Sequence, residues 1–217
     1  MNKRILVVAA HPDDELLGIG GIILKHRQNG DQVRAVIMCE GESLRYAKDV
    51  GQNEATQEAA KILGIEQVYR FDYPDQKLDT FTLTELITPL EKVSEEFQPN
   101  IIYCQSACDA NRDHKILFEA ATIAFRPIDT WIEEFYTFYT VSSTEWGYPR
   151  NFVPDTWIDI TDVLKQKIRA FECYKSEVRA YPHPRSTQAL EHQAHFWGNQ
   201  CCMDAAEILM TIRRVQR

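Results

Sequence analysis

Apolar residues along this chain fall into short unbroken runs that alternate with longer amphipathic stretches. The run "RILVVAA", rich in valine and isoleucine, has the pattern of a strand covered on both faces in a parallel sheet. The stretch "GIGGIILKHRQNG" predicts a helix, with small residues where it approaches the strand closely and a stop at Gly30. "QVRAVIMC" predicts a second buried strand, residues 54–63 a helix stopped by Gly64, and "EQVYRF" a third strand. In "TLTELITPLEKVSEEFQP", Pro89 fits a first helical position behind Thr88 as cap, with Glu91 completing a capping box, so a helix is predicted over 89–97. "NIIYCQ" reads as a further buried strand, and "HKILFEAATIAF" as a helix with apolar residues at 116, 117, 120, 121, 124 and 125. The rhythm predicts an α/β fold: a three-layer, Rossmann-like, mostly parallel sheet with helices on both faces.

Past Phe125 the pattern changes. "EEFYTFYTV" and "TWIDI" predict strands separated by the loop "SSTEWGYPRNFVP", and Thr161 is placed to cap the amphipathic helix "DVLKQKIRAFECYKSE". "TQALEHQAHFWG" and "MDAAEILMTIRR" predict two more helices, giving a helix-rich C-terminal third packed on the sheet. No repeat, low-complexity segment or linker supports a boundary, so the expectation is one domain over residues 1–217.

Composition narrows the partners. With 24 basic and 32 acidic residues the net charge is 24 − 32 = −8, which disfavours nucleic acid and anionic membranes and points to a small molecule. No apolar run approaches the roughly 18 residues of a membrane span, and "MNKRILVVAA" is too short for a signal peptide, so a cytoplasmic protein is expected. Six scattered cysteines without a CxxC pair predict reduced thiols, with Cys201 and Cys202 as core filler.

In an open α/β sheet, ligands bind beyond the carboxyl ends of the strands, so the loops that follow strands carry the chemistry. One such loop is "HPDDE" after Ala10; another is "SACDANRDH", which ends in Asp113 and His114 at a helix start. Either loop alone reads equally as a helix cap with acids at the positive end of the dipole. Together they put two of only six histidines beside aspartates at converging strand ends. His11 and Asp14, three apart, plus a third nitrogen ligand from a neighbouring loop would leave positions open for water, as a catalytic metal requires.

The chain resembles the PIG-L (LmbE-like) deacetylases, zinc-dependent enzymes that remove acetyl groups from N-acetylated amino sugars. The likeness rests on "HPDDELLGIGG", "CEGES", "AAKILGI", "PDQKL", "QPNIIYCQSACDANRDH", "WIDIT", "KSEVRAYPHPRS" and "AAEILMTIRR", and covers nearly the whole chain. Within the family, "SSTEW" and "PHPRS" resemble members associated with polysaccharide and glycolipid synthesis, where the sugar is nucleotide- or lipid-linked. The resemblance implies His11, Asp14 and His114 as metal ligands, Asp13 as general base, and Zn²⁺ as cofactor, with Fe²⁺ or Co²⁺ compatible with the same donors. It also leaves a homo-oligomer open.

One departure stands out. Many members carry a histidine where this chain has Asn111, whose amide can donate a hydrogen bond but no proton. His183, held between prolines in "YPHPRS", is the candidate replacement, against the plainer reading of a solvated loop histidine. Pro12 is expected to make the two aspartates diverge. Glu15 reads as a residue orienting a ligand or as a helix-start charge, and Asp113 as a residue orienting His114 or capping its helix. Glu42, Arg45 and Arg185 are candidates for sugar hydroxyls or an anionic aglycone, or ordinary surface residues. Trp146 and Tyr148 read as a sugar-covering loop or a loop anchored on the core, and His26, His192 and His195 as surface or packing residues. Two further functions fit the same loops: a metal-dependent phosphoesterase, which would usually use two metals about 3.5–4 Å apart, and a non-catalytic sugar- or nucleotide-binding module.

Overall fold

The computed structural model describes residues 2–41 and 51–216; Glu42 and Arg45 lie outside them. Seven strands form one sheet: β1 (Arg4–Ala9), β2 (Gln32–Cys39), β3 (Gln67–Tyr73), β4 (Ile101–Gln105), β5 (Glu134–Phe138), β6 (Thr156–Asp159) and β7 (Ala206–Arg214). Their order across the sheet is β3-β2-β1-β4-β5-β7-β6. The first five pair in parallel, and β7 is antiparallel to both β5 and β6.

Alternation along β1 sends Ile5 and Val7 to one face and Leu6 and Val8 to the other, each into its own apolar layer. The first layer is closed by α1 (Asp14–Gln28), α2 (Gln52–Leu63), α5 (Leu164–Phe171) and α6 (Thr187–Asn199). The second is closed by α3 (Leu83–Phe97) and α4 (Arg112–Ala124). In α3 the stripe Leu86, Leu90, Val93 and Phe97 faces the sheet at helical spacing. The mostly parallel three-layer expectation is met.

Three expectations about elements are corrected. Helix α3 starts at Leu83, where Thr82 and Glu85 make the capping box, and Pro89 sits inside the helix. Proline lacks the N–H that would reach the Glu85 carbonyl, and the Tyr73 hydroxyl donates to that carbonyl instead at 2.8 Å, so the interior proline is tolerated. Residues 206–214, read as a helix, are strand β7: their helix-forming alanine, glutamate, leucine and methionine yield to pairing with strands on both sides. Thr161 caps no helix; its hydroxyl accepts the Ala205 N–H at 3.1 Å, and α5 begins only at Leu164. Cys201 and Cys202 are exposed in the turn after α6 rather than buried.

Helix α1 is broken at Ile19, whose backbone (φ −140°, ψ 26°) is not helical. A buried ion pair repairs the break. Glu207 on β7 accepts the N–H groups of Gly21 and Ile22 at 2.9 and 2.7 Å, and Lys167 on α5 donates to the Leu17 carbonyl at 3.0 Å and to Glu207 at 2.6 Å. The glycines are needed for close approach, since a Cβ on Gly18 would lie 2.2 Å from the Phe138 ring and one on Gly21 2.6 Å from Ile160. Among the described residues no helix is long and apolar enough to cross a membrane.

Candidate active site

The register of β1 against β4 pairs Val8 with Cys104, so both strands end level and their following loops leave the sheet side by side. The Ala10 N–H donates to Gln105 Oε1 at 2.7 Å, tying the two exits together. Asp13 has φ 90° and ψ −23°, a left-handed conformation that aspartate tolerates better than most residues. That local turn, rather than Pro12 alone, separates the two aspartates. Asp14 enters the first turn of α1, whereas Asp13 meets Arg185 at 3.0 Å.

Three donor atoms converge: His11 Nδ1 lies 3.1 Å from Asp14 Oδ2, and His114 Nε2 lies 3.3 Å from both. Four ligands around zinc at roughly 2.0–2.1 Å stand about 3.3–3.4 Å apart, so the triangle has the dimensions of one tetrahedral face. His11, Asp14 and His114 are all at most 5% exposed. The far nitrogens are matched by carboxylates. His11 Nε2 lies 3.1 Å from Asp113 Oδ2 and 3.1 Å from Asp75 Oδ1, and His114 Nδ1 lies 3.2 Å from Asp109 Oδ2, off the line of an N–H bond. Carboxylates behind ligating histidines fix the ring and raise its basicity.

The electrostatics ask for a cation. Burial alone would lower the pKa of His11, but Asp113, Asp14 and Asp75 hold it well above the ordinary histidine range. Burial likewise opposes a charged His114, yet Asp14 and Asp109 raise its pKa. Burial would raise Asp14, and the two imidazoles hold it well below the usual carboxylate range. A metal at this triangle would take the place of those protons. His11, Cys39 and Asp113 also lie close together, but burial pushes the Cys39 thiol up to about 11, so at neutral pH it serves as a donor toward Asp113, 3.6 Å away.

A cavity of about 270 Å³ opens over the triangle, lined by His11, Asp14 and His114 together with Asn111, Trp146, Glu177, Arg179, His183 and Arg185. Asn111 caps α4: its side-chain oxygen accepts the Asp113 N–H at 2.9 Å, leaving the amide NH₂ as the donor. His183 Nδ1 accepts the Arg185 N–H at 3.0 Å, which puts the ring proton of the neutral form on Nε2. Trp146 is half exposed at the cavity, and Tyr148, 74% exposed, lies under Arg150.

Asp113 does not orient His114. Successive helical residues point apart, and its carboxylate reaches back to His11 and to the Leu78 N–H at 3.1 Å. Arg185, expected to await an anion, is paired with Asp13 and, at 2.6 Å, with Glu177. Glu15 contacts none of the three donors; its carboxyl accepts from the Tyr174 hydroxyl at 3.2 Å, and burial with neighbouring Asp13 pushes its pKa up to about 8. His26 bridges Asp31 and Tyr103, at 2.7 and 2.9 Å, while His192 and His195 are exposed.

Asp75, Asp109 and Glu177 escaped the sequence reading. Asp109 had a signal, since it shares the loop of Asn111 and His114. It is 1% exposed and accepts from Ser143, from Thr144 Oγ1 at 2.8 Å and from the Asn111 N–H at 2.8 Å. Asp75 also follows a strand end, two residues past β3. Glu177 had none.

The chain is similar to known proteins in sequence and in fold. The family model "PIG-L: GlcNAc-PI de-N-acetylase" matches residues 6–125, more than half of the chain. The deacetylase YaiS of Escherichia coli (strain K12) is 31% identical over 134 residues, 58% of this chain and 71% of that one. The 4-oxalmesaconate hydratase of Pseudomonas putida KT2440 is 30% identical over 198 residues, 79% and 72% of the two chains. N,N'-diacetylchitobiose deacetylase from Pyrococcus horikoshii has the same fold, with a TM-score of 0.79 at 21% identity over 97% of this chain and 84% of that one. The chain, with its paired strand-end loops and their histidines and aspartates, belongs to the PIG-L family of GlcNAc-PI de-N-acetylases.

Proposed function

We propose that this protein is a zinc-dependent hydrolase that removes the acetyl group from a small N-acetylated amino sugar, with Asp13 as general base. The observation that carries the reading is the buried triangle of His11 Nδ1, Asp14 Oδ2 and His114 Nε2, with the carboxylate of adjacent Asp13 turned to Arg185. A divalent metal held there supplies Lewis acidity, lowering the pKa of water and polarising an acyl oxygen.

The remaining work falls to the chain's own groups. Asp13, fixed by Arg185, takes the proton of the attacking water and passes it to the departing amine. Charge that develops on the acetamide oxygen meets two donors of the cavity wall, the Asn111 amide and His183 Nε2–H. Asp75, Asp113 and Asp109 hold the two imidazoles in position from behind. The cavity, about 270 Å³, falls just below the roughly 300–1,000 Å³ typical of ligand sites, which suits a sugar better than a polymer segment.

The relative that is a hydratase supports a second reading, in which the same groups deprotonate water for addition to a carbon–carbon double bond. Acetate release from a panel of N-acetylated sugars, with and without chelator and after reconstitution with zinc, iron or cobalt, decides between them. Chelator-sensitive acetate release is expected. Release that persists through chelation overturns the metal reading, and no release beside hydration of 4-oxalmesaconate overturns the deacetylase reading.

A further inference from the structure

We propose that Glu177 is a positioning residue: it fixes the Arg185 guanidinium and, through it, the carboxylate of Asp13. The inference rests on the deacetylase reading above, in which Asp13 moves the proton, and adds to it a residue that acts only through another side chain.

Arg185 is more than the partner of one acid. Its Nη1 donates to Asp13 Oδ2 at 3.0 Å and to Glu177 Oε2 at 2.6 Å, and its Nε donates to Ser142 Oγ at 2.8 Å. A guanidinium carries its N–H donors in one rigid plane, and Nη1 bears two of them at a fixed angle. With one committed to Glu177, the other has a single direction left, and that direction is Asp13. Ser142 fixes the plane from the Nε side. The three acceptors come from separate parts of the chain: the turn before α1, the loop after β5 and the segment between α5 and α6.

Glu177 is itself built in. It is 3% exposed, its N–H donates to the Tyr174 carbonyl at 2.8 Å, and Tyr174 is fully buried in the first apolar layer. Its second oxygen, Oε1, accepts from the amide of Gln52, the buried first residue of α2, at 3.1 Å. Each carboxylate oxygen of Glu177 therefore has its own assigned donor, one on α2 and one on Arg185. Ser142 is equally determined. Its backbone is left-handed, at φ 62°, and its N–H donates to Glu145 Oε1 at 2.6 Å, which sets the hydroxyl against Arg185 Nε in a conformation that serine seldom adopts.

The metal donors are held by a different set of groups. His11 is backed by Asp75 and Asp113 and His114 by Asp109, and no hydrogen bond or ion pair among the described residues joins Glu177 to His11, Asp14 or His114. Loss of Glu177 thus loosens the guanidinium beside Asp13 and leaves the triangle of donors with its own supports. Its effect falls on the proton-moving step and not on metal retention, which separates a positioning role from general support of the fold.

The test measures kcat, KM and bound zinc in Glu177→Ala, Glu177→Gln, Arg185→Ala and the double variant Glu177→Ala/Arg185→Ala of the zinc-loaded protein, on an N-acetylated sugar that the parent deacetylates. Glu177→Ala is expected to lower kcat about 10- to 100-fold, the cost of a misplaced reacting group, with KM and zinc content within about twofold of the parent. Glu177→Gln, whose amide oxygen still accepts from Nη1, should recover part of the loss. The double variant should be no slower than Arg185→Ala, because Glu177 acts only through that guanidinium. Additive losses, a kcat of Glu177→Ala within about twofold of the parent, or a loss that follows zinc content overturns the proposal. Should the parent release acetate from no sugar, the deacetylase reading fails by itself, and NMR of the Arg185 Nε–H, assigned by its disappearance in Arg185→Ala, then decides the positioning of the guanidinium. Faster exchange of that proton with water in Glu177→Ala upholds it, and unchanged exchange overturns it.

Discussion

Replacing Asp109 by Asn removes one negative charge while barely altering the side chain's shape, and so isolates what that charge does. Asp109 is buried beneath His114, and burial alone would raise its pKa, but His114, Ser143 and the Asn111 N–H together hold the carboxyl below its usual range. An amide at this position still accepts from one side. On the other it sets an NH₂ against the Thr144 hydroxyl and His114 Nδ1, now 2.8 and 3.2 Å from Oδ2. The hydroxyl can rotate to accept. The imidazole can respond only by moving its proton to Nε2, the atom that points into the triangle and would have to hold the metal. Loss of such a supporting carboxylate costs roughly 10–100-fold in metal affinity, or about 1.4–2.7 kcal/mol. The measurement is a zinc titration against a competing chelator at neutral pH, with Thr144→Val as the control that removes a neighbour of Asp109 but not its charge. Zinc affinity of Asp109→Asn within twofold of the parent would refute the assigned role of His114 Nε2.

The other expectations divide metal, proton and fold. Asp13→Asn should retain zinc and lose about 10²–10⁴-fold in kcat, whereas His114→Ala should lose zinc as well; metal content by atomic spectroscopy beside acetate release checks both. Glu15 has a folded pKa of about 8 against an ordinary 4.5, so the folded form binds the extra proton: its contribution is fully present below pH 4.5 and is lost as pH rises toward 8. Melting of the metal-free protein should accordingly show a downward slope across that window, with Glu15 worth up to roughly 5 kcal/mol of it, and Glu15→Gln should make the slope shallower, leaving the part that belongs to His11 and His114. Lys167→Met leaves Glu207 buried without its cation and should cost about 3–5 kcal/mol, a fall in Tm on the order of 10 °C; a fall of a degree or two would mean that the pair is not what holds α1 together.

What could be read directly was whatever depends on local pattern. The apolar runs of β1, β2 and β4 and the cluster at 11–14 announce themselves, and the parallel order follows from the alternation of strand and helix. His114 was legible because the topology brings strand ends together, not because anything near residue 14 points to it. Strand β7 was not legible, since its composition favours a helix and only the gap between β5 and β6 makes it a strand. Pro89 misled for a similar reason: the Tyr73 hydroxyl that serves the Glu85 carbonyl sits on another element. Asp75 was missed because its partner, His11, is distant in the chain, and Glu177 because nothing in the stretch up to Arg185, 8 positions on, shows that the chain turns back to pair them. Arg185 was picked out as a cation in want of an anion, and the anions that it holds belong to the protein itself.

The interruption of α1 at Ile19 carries a consequence for how the protein comes into being. The first turn of that helix bears Asp14, and its continuation depends on a carboxylate 186 residues further along, Glu207, which takes up the Gly21 N–H. On the ribosome, therefore, α1 is made early and the carboxylate that bridges its break, on β7, is made near the end of synthesis. Until then the Gly21 and Ile22 N–H groups lack the carboxylate that receives them in the folded protein.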